Sequence, residues 1–265
     1  MNNTFDFRET WLHKINPSLK LLTMIFLFIL VIFIHNLNQM ILFTIMTMIL
    51  FVFFTGHPYK RILLFSIPFL FIFISTTTSM IFFGKGDTTI LRWGLVHVTE
   101  ESLFRGIHLG FRALTYALLG LTFALTTRPV YLFYSMMQQL KLNPKYSYSF
   151  MAGIRLMPIM IEEFQHIRSA QKVRGVRTGA GMNGLFHLFK FTSIPLLSQC
   201  IRRAFRIAVA MEAKRFDYSK ERTFYYKIGF SKVDVVFVGY FVVLTGLSFY
   251  LAQEFPFFPV TDVRD

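Results

Sequence analysis

Long apolar runs alternate with short polar breaks through the first half of the chain, and one more run lies near its end. Runs at 19–34, 39–55, 62–83, 102–127 and 233–252 each reach, with their flanks, the length that about 1.5 Å per residue needs to cross a hydrocarbon core of roughly 30 Å. They predict five transmembrane helices and an all-α, polytopic membrane protein. Pro68 falls inside the third run, where neighbouring helices can satisfy the freed carbonyl. The fourth carries Arg105 and Arg112 in its first half. Arg105 is near enough to the end to snorkel. Arg112 lies about two turns deeper and must face protein or a polar cavity, unless the span is short and starts near Ala113.

From 128 to 232 the period changes, and two long helical patterns, 153–176 and 193–217, take over from the apolar runs. In the first, Leu156, Met160, Glu163, Ile167, Ala170, Arg174 and Arg177 recur at spacings of three and four, as on the seam of a packed helix. In the second, Leu197, Cys200, Ala204, Ile207, Ala208 and Met211 make a similar seam that continues into Lys214 and Arg215. Both seams start apolar and end basic. Ala204 and Ala208 would let another helix backbone approach closely. Pro158 and Pro195 lie inside the patterns and predict a bend or a late start of the straight portion. Gly175, Gly179, Gly181 and Gly184 punctuate the connection, so a helical hairpin or crossed pair is expected.

Composition agrees with a lipid setting: 54% of residues are hydrophobic, 34 are Phe and 16% are charged. The net charge of +14 sharpens the topology, because residues 128–232 hold 18 Lys and Arg against 5 Asp and Glu and so carry +13 of it. Cations concentrate on the cytoplasmic side of spans, which puts that block and the amino terminus inside. The turn at 35–38 lacks Lys and Arg, the loop 84–102 sets Lys85 and Arg92 against Asp87, Glu100 and Glu101, and the tail sets Arg264 against Glu254, Asp262 and Asp265. All three read as external, the carboxy terminus with them. The expected division is a four-span membrane domain (1–127), a cytoplasmic region (128–232), and a fifth span with an external tail (233–265). Residues 1–18 read as interfacial, with Trp11 as a headgroup anchor and Asn16-Pro17-Ser18 starting the first helix. That helix is long enough to span and lacks a small-residue cleavage site after it, so no cleavable signal peptide is expected. Cys200 is the single cysteine, which excludes an intramolecular disulfide and favours a buried structural role.

Candidate chemistry is sparse. There is no G-x-x-x-x-G-K-[ST] run, and the seven histidines are scattered without ligand spacing, so neither nucleotide hydrolysis nor a metal site is expected in this chain. Glu162 and Glu163 point about 100° apart on a helix and are expected to balance Arg155 and His166, or to bond Arg168, rather than act as a pair. No nucleophile and base come together, so no catalytic residue is expected. For the basic block, cations at helix carboxy ends complement the macrodipole by about 0.3–1 kcal/mol. Some, such as Lys190 and Lys220, suit anionic headgroups. Basic seam ends on both helices point further, to an acidic partner surface. Five spans and no recognition fold exclude nucleic acid.

The same residues carry a family resemblance. Arg155, Pro158, Glu162, Ile167, Ala170, Gln171, Arg174 and Gly175 stand as R-x-x-P-x-x-x-E-x-x-x-x-I-x-x-A-Q-x-x-R-G. Ile194-Pro195-Leu196-Leu197, Arg203-Ala204 and Ala210-Met211-Glu212-Ala213 follow. Together they resemble the paired signatures of the transmembrane T component (EcfT/CbiQ-like) of energy-coupling-factor (ECF) transporters. Asn16-Pro17-Ser18-Leu19-Lys20-Leu21 and Thr126-Thr127 with Pro129 match as well, so the resemblance covers nearly the whole chain. It implies a non-catalytic scaffold whose two cytoplasmic coupling helices dock on two ABC ATPase subunits, which bind the ATP. Movement then passes to a small substrate-binding membrane subunit (S component) that delivers a vitamin or metal ion.

The implied ATPase contacts are Ala170, Gln171, Arg174, Gly175, Glu212, Ala213, Lys214 and Arg215. Arg155, Pro158, Glu162, Pro195, Arg203, Ala204 and Met211 would support the coupling helices. No cofactor or metal is implied in this chain. Val173 replaces the family's Ala, and Ala213-Lys214-Arg215 replaces Ala-Arg-Gly. Lys keeps the charge but loses the planar fork, so Lys214 or Arg215 makes the second contact. The stretch TWLHKINPSLKLL resembles T components associated with uptake of a thiamine precursor. Two other classes compete. A membrane-embedded enzyme holding an anionic lipid or phosphorylated substrate needs polar groups at one depth, where only Glu101, Arg105, His108 and Arg112 come close. An autonomous permease needs broken helices and inverted repeats, and neither is evident.

Overall fold

The computed structural model describes residues 8–84, 86, 88–93, 96–175, 182–217 and 223–258. Lys85, Asp87, Arg177, Gly179, Gly181, Lys220, Asp262, Arg264 and Asp265 lie outside them. Asn16 accepts a hydrogen bond from the Ser18 amide at 3.2 Å, with Pro17 in the first helical position, and so starts α1 (Pro17–Phe33). There follow α2 (Leu37–Phe54), α3 (Tyr59–Phe83), an antiparallel hairpin of β1 (Thr89–Trp93) and β2 (Val96–Thr99), and α4 (Glu100–Thr126). The chain continues through α5 (Pro129–Gln139), α6 (Pro144–Val173), α7 (Met182–Ala213) and α8 (Lys232–Glu254). Four of these helices, α2, α3, α4 and α8, are long and apolar enough to cross a membrane, and α1 is a shorter apolar helix of 17 residues. The all-α polytopic expectation holds. The hairpin is an addition within the expected loop 84–102, at a run of β-branched residues too short to stand out beside the apolar spans.

Contacts divide the chain into two units: residues up to Leu132 together with those from Ile228 onward, and Phe133–Lys227. In the first, Leu27, Val31, Met40, Phe43, Leu119, Phe237 and Phe241 form one apolar core contributed by α1, α2, α4 and α8. Helix α3 stands at its side: only 6% of its apolar window is buried, against 44% for α2. It leans on α4 through glycines. A Cβ at Gly110 would lie 2.0 Å from the Thr77 hydroxyl oxygen and 3.0 Å from the Phe73 ring, and one at Gly106 would lie 2.7 Å from Ile81. The outward faces, with Phe26, Phe33, Leu64 and Phe71 exposed, are those of helices solvated by lipid.

Several buried polar groups in this unit bond to groups of neighbouring segments. At one rim the Asp234 carboxylate accepts from the amides of Asn16 and Ser231, each at 2.7 Å. Lys20, 1% exposed, donates to the Leu12 carbonyl at 3.0 Å and to both oxygens of Thr126, the last residue of α4. At the other rim His108 Nε2 and Arg112 Nη2 donate to the Ile34 carbonyl at 3.1 and 2.8 Å. Asn38 accepts from the amides of Phe257 and Phe258 at 3.1 and 2.9 Å. Arg112 therefore faces protein, and α4 is long rather than starting near Ala113. Trp11 departs from its expected place: its ring packs edge-on to Phe54 and Phe237 at 5.7 and 6.3 Å instead of anchoring at headgroups, because the 3-10 turn Trp11–His13 folds it against the bundle.

Candidate functional site

The second unit is organised by α6 and α7, both longer than their sequence patterns. Asn143 accepts from the Lys145 amide at 2.9 Å and starts α6 at Pro144, while α7 begins at Met182. Pro158 and Pro195 lie inside the helices, which run through them. The pair crosses where Arg203 donates to Glu163 at 3.0 Å, with the two side chains 33% and 20% exposed. Gln171 donates to the Phe191 carbonyl at 3.0 Å and accepts from the Thr192 hydroxyl at 3.4 Å. A later residue of α6 thus meets an earlier one of α7, so the helices run antiparallel. Glu163 takes Arg203 across the crossing rather than Arg155, His166 or Arg168, and Arg168 lies 5.7 Å over the Phe164 ring. On a helix surface that longer reach is favoured because the inward side chains already face each other.

The inward ridge is narrower than the predicted seams. Glu163, Ile167 and Gln171 on α6 and Arg203, Ile207 and Met211 on α7 are half-buried, a four-residue spacing, whereas Ala170, Arg174, Leu197, Ala204, Ala208, Lys214 and Arg215 are exposed. Crossed helices touch along an i to i+4 ridge and then diverge, so the alternating three-and-four seam leaves the contact within a turn or two. Arg155, Pro158, Glu162, Pro195, Glu212 and Ala213 are exposed as well, and Cys200 is half-buried. Of the signature residues, Ile167, Gln171, Leu196, Arg203 and Met211 are half-buried, and the rest are left on the outer surface.

Both helices end in the same way. Arg174 closes α6 with its amide on the Ala170 carbonyl at 3.0 Å, and Gly175, at φ 65°, donates to Lys172 at 3.1 Å. Lys214 closes α7 with its amide on the Ala210 carbonyl at 3.1 Å. Arg215, at φ 53°, donates to Glu212 at 2.8 Å, and Phe216 donates to Met211 at 2.9 Å. The α7 end is a Schellman motif, and the described part of the α6 end matches it, with a left-handed residue one place past the cap in both. Lys214 is thus the positional counterpart of Arg174, and Arg215 stands where the other helix has glycine. Sequence spacing alone leaves the two cations equivalent, since only the backbone conformation distinguishes cap from left-handed position. Among the described residues, Arg174, Lys214 and Arg215 form no ion pair.

Helix α7 also carries an apolar face wider than the predicted seam. Phe186, Phe189, Ile194, Leu197, Ile201 and Phe205 are all exposed and recur at helical spacing along it. The signal was in the sequence as the phenylalanine content of 183–205, but the small residues beside it drew the seam elsewhere. Among the described residues no three His, Cys, Asp or Glu side chains gather as a metal site requires.

A family profile described as CbiQ, cobalt transport protein, matches residues 8–226. The chain belongs to this family. Relatives of this CbiQ-family chain include three proteins called energy-coupling factor transporter transmembrane protein EcfT. That of Bacillus subtilis is 29% identical over 252 residues, covering 90% of this chain and 93% of the relative. That of Listeria innocua is 27% identical over 255 residues, covering 92% and 94%. That of Lacticaseibacillus paracasei is 25% identical over 249 residues, covering 90% and 93%. The resemblance to ECF T components carried by the two signatures is borne out, and both signatures lie within the matched residues.

Proposed function

We propose that this chain is the scaffold subunit of an ECF-type ABC importer, coupling ATP hydrolysis by two ATPase subunits to reorientation of a small substrate-binding membrane subunit that delivers a vitamin or metal ion. The observation that carries the reading is the matched pair of helix ends. Arg174 and Lys214 occupy equivalent caps, both exposed, on two helices clamped together at Glu163 and Arg203. A cation held at a rigid helix end makes a directional, charge-assisted contact with a partner carboxylate, and a clamped pair transmits the partner's displacement instead of absorbing it. Arg174 makes a bidentate contact, Lys214 a point-charge contact, and Arg215 shapes the second end. Ala170, Gln171, Gly175, Glu212 and Ala213 complete the two docking surfaces.

The exposed apolar face of α7 suits a membrane subunit lying against it. The positive block at 128–232 supports a cytoplasmic position for both helices, with the amino terminus inside and the carboxy terminus outside. The chain itself is non-catalytic and binds no cofactor; ATP is held by the partner subunits. The test is co-purification of the assembled complex through a tag on this chain. Arg174→Glu with Lys214→Glu is expected to lose both ATPase subunits while the chain stays folded in detergent. Wild-type stoichiometry in that variant would overturn the reading.

A further inference from the structure

The rim where α1 begins and α4 ends carries a buried cation without a counter-charge. Lys20 is 1% exposed, its bonds go to the Leu12 carbonyl and to Thr126, and it forms no ion pair among the described residues. Beside it, on the other side of Thr126, opens a pocket of about 190 Å³ lined by His13, Thr126, Thr127, Arg128 and Tyr131. Its lining offers several hydrogen-bond donors. The Thr127 hydroxyl oxygen is buried with no hydrogen-bond partner. His13 Nδ1 accepts the Thr10 amide at 3.2 Å, which assigns the ring proton to Nε2. The Arg128 guanidinium lies 6.0 Å over the Tyr131 ring and pairs with Glu9, with both side chains more than half exposed. Burial, then the charges of Lys20 and His57, with Arg128 acting the same way, hold the His13 ring below its ordinary pKa, and Glu9 opposes them.

We propose that this pocket binds the phosphate of an anionic phospholipid. A phosphate oxygen supplies an acceptor for the Thr127 hydroxyl, a second fork partner for Arg128, and negative charge beside Thr126, to which Lys20 is bonded. The volume holds a phosphate and its glycerol attachment. Pro17 also lines the pocket, at the first turn of a helix whose outward residues Leu22, Phe26 and Ile29 are exposed and apolar. The site therefore lies at the end of lipid-facing helices, where headgroups are, and that placement favours a lipid over a free anion. It also explains why Arg128 is half exposed next to a carboxylate: Glu9 holds the guanidinium in place, and the incoming phosphate competes with it. The site is independent of the docking ends at Arg174 and Lys214.

The test uses the full chain in detergent, titrated with phosphatidylglycerol, with phosphatidylcholine and with inorganic phosphate, and reads bound species by native mass spectrometry. The wild type is expected to retain one phosphatidylglycerol per chain in preference to phosphatidylcholine. Thr127→Val with Arg128→Gln should lower that retention several-fold. Glu9→Gln, which removes the competing carboxylate, should raise it, a gain that a merely structural loss could not produce. Binding of inorganic phosphate without lipid, lost in the same double variant, would support the phosphate site and assign it to a free anion. Equal retention by wild type and double variant, or reduced retention in Glu9→Gln, would overturn the proposal.

Discussion

In the five-helix unit, Asp234, His108, Arg112 and Asn38 turn their polar atoms to the backbone of neighbouring helices, and the apolar side chains turn outward. In the second unit the arrangement is reversed at the helix ends: Arg174, Lys214 and Arg215 are exposed, and the ridge between α6 and α7 holds the Glu163–Arg203 ion pair. A polar group buried among helices in lipid must find its partner within the chain, because no water replaces it. A charge left outside, on a helix that also shows an apolar face, is available to another molecule. The first unit is consequently sensitive to deletion of single polar groups, and the second to reversal of its outer charges.

The largest effect should follow Asp234→Ala, which orphans the amides of Asn16 and Ser231 at a buried rim. Bonds to a charged acceptor contribute roughly 1.5–3 kcal/mol each, so a loss of about 3 kcal/mol is expected in thermal unfolding in detergent. Lys214→Ala should stay within about 0.5 kcal/mol in the same assay. A comparable loss in both would erase the distinction between the units.

Packing comes next. Gly110→Leu should cost about 1–3 kcal/mol by forcing α3 off α4, since even a Cβ there meets Thr77 at 2.0 Å. Gly239→Ala, with nothing within 4 Å, should cost nothing; a tolerated Gly110→Leu would show that the α3–α4 approach is loose.

The Glu163–Arg203 pair is partly screened, so a double-mutant cycle should give about 0.5–1 kcal/mol. Exchanging the two residues should recover most of it. No recovery would mean that the crossing is held by its apolar neighbours alone. The smallest effect is at Arg215. Its left-handed backbone is unfavourable for any residue with a Cβ, so Arg215→Gly should raise stability by up to about 1 kcal/mol, and a loss would show that the side chain itself holds the α7 end.

The placement of the apolar helices was legible because an apolar run of bilayer length has few alternative uses, and each predicted run overlaps an observed helix, four of them long enough to cross a membrane and α1 shorter. The helix ends of the first unit were partly legible: Asn16-Pro17 marked a start, yet nothing local to Asp234 or Lys20 announces partners at Asn16 and Thr126, since those contacts join segments far apart in the chain. Trp11 was misplaced for the same reason. In the candidate site the signatures were visible, but their geometry was not. Which side of α6 faces α7 depends on the crossing, which brings Glu163 and Arg203 together and leaves Ala170 and Ala204 exposed. The difference between Lys214 and Arg215 is a backbone torsion, which side-chain chemistry does not encode.

The proposed docking role of the two helix ends is tested most directly by ATP-driven substrate uptake in vesicles containing the complete transporter, comparing wild type with Arg174→Glu plus Lys214→Glu. Uptake should fall to background while the variant chain keeps its thermal unfolding midpoint. Uptake at the wild-type rate would contradict the account.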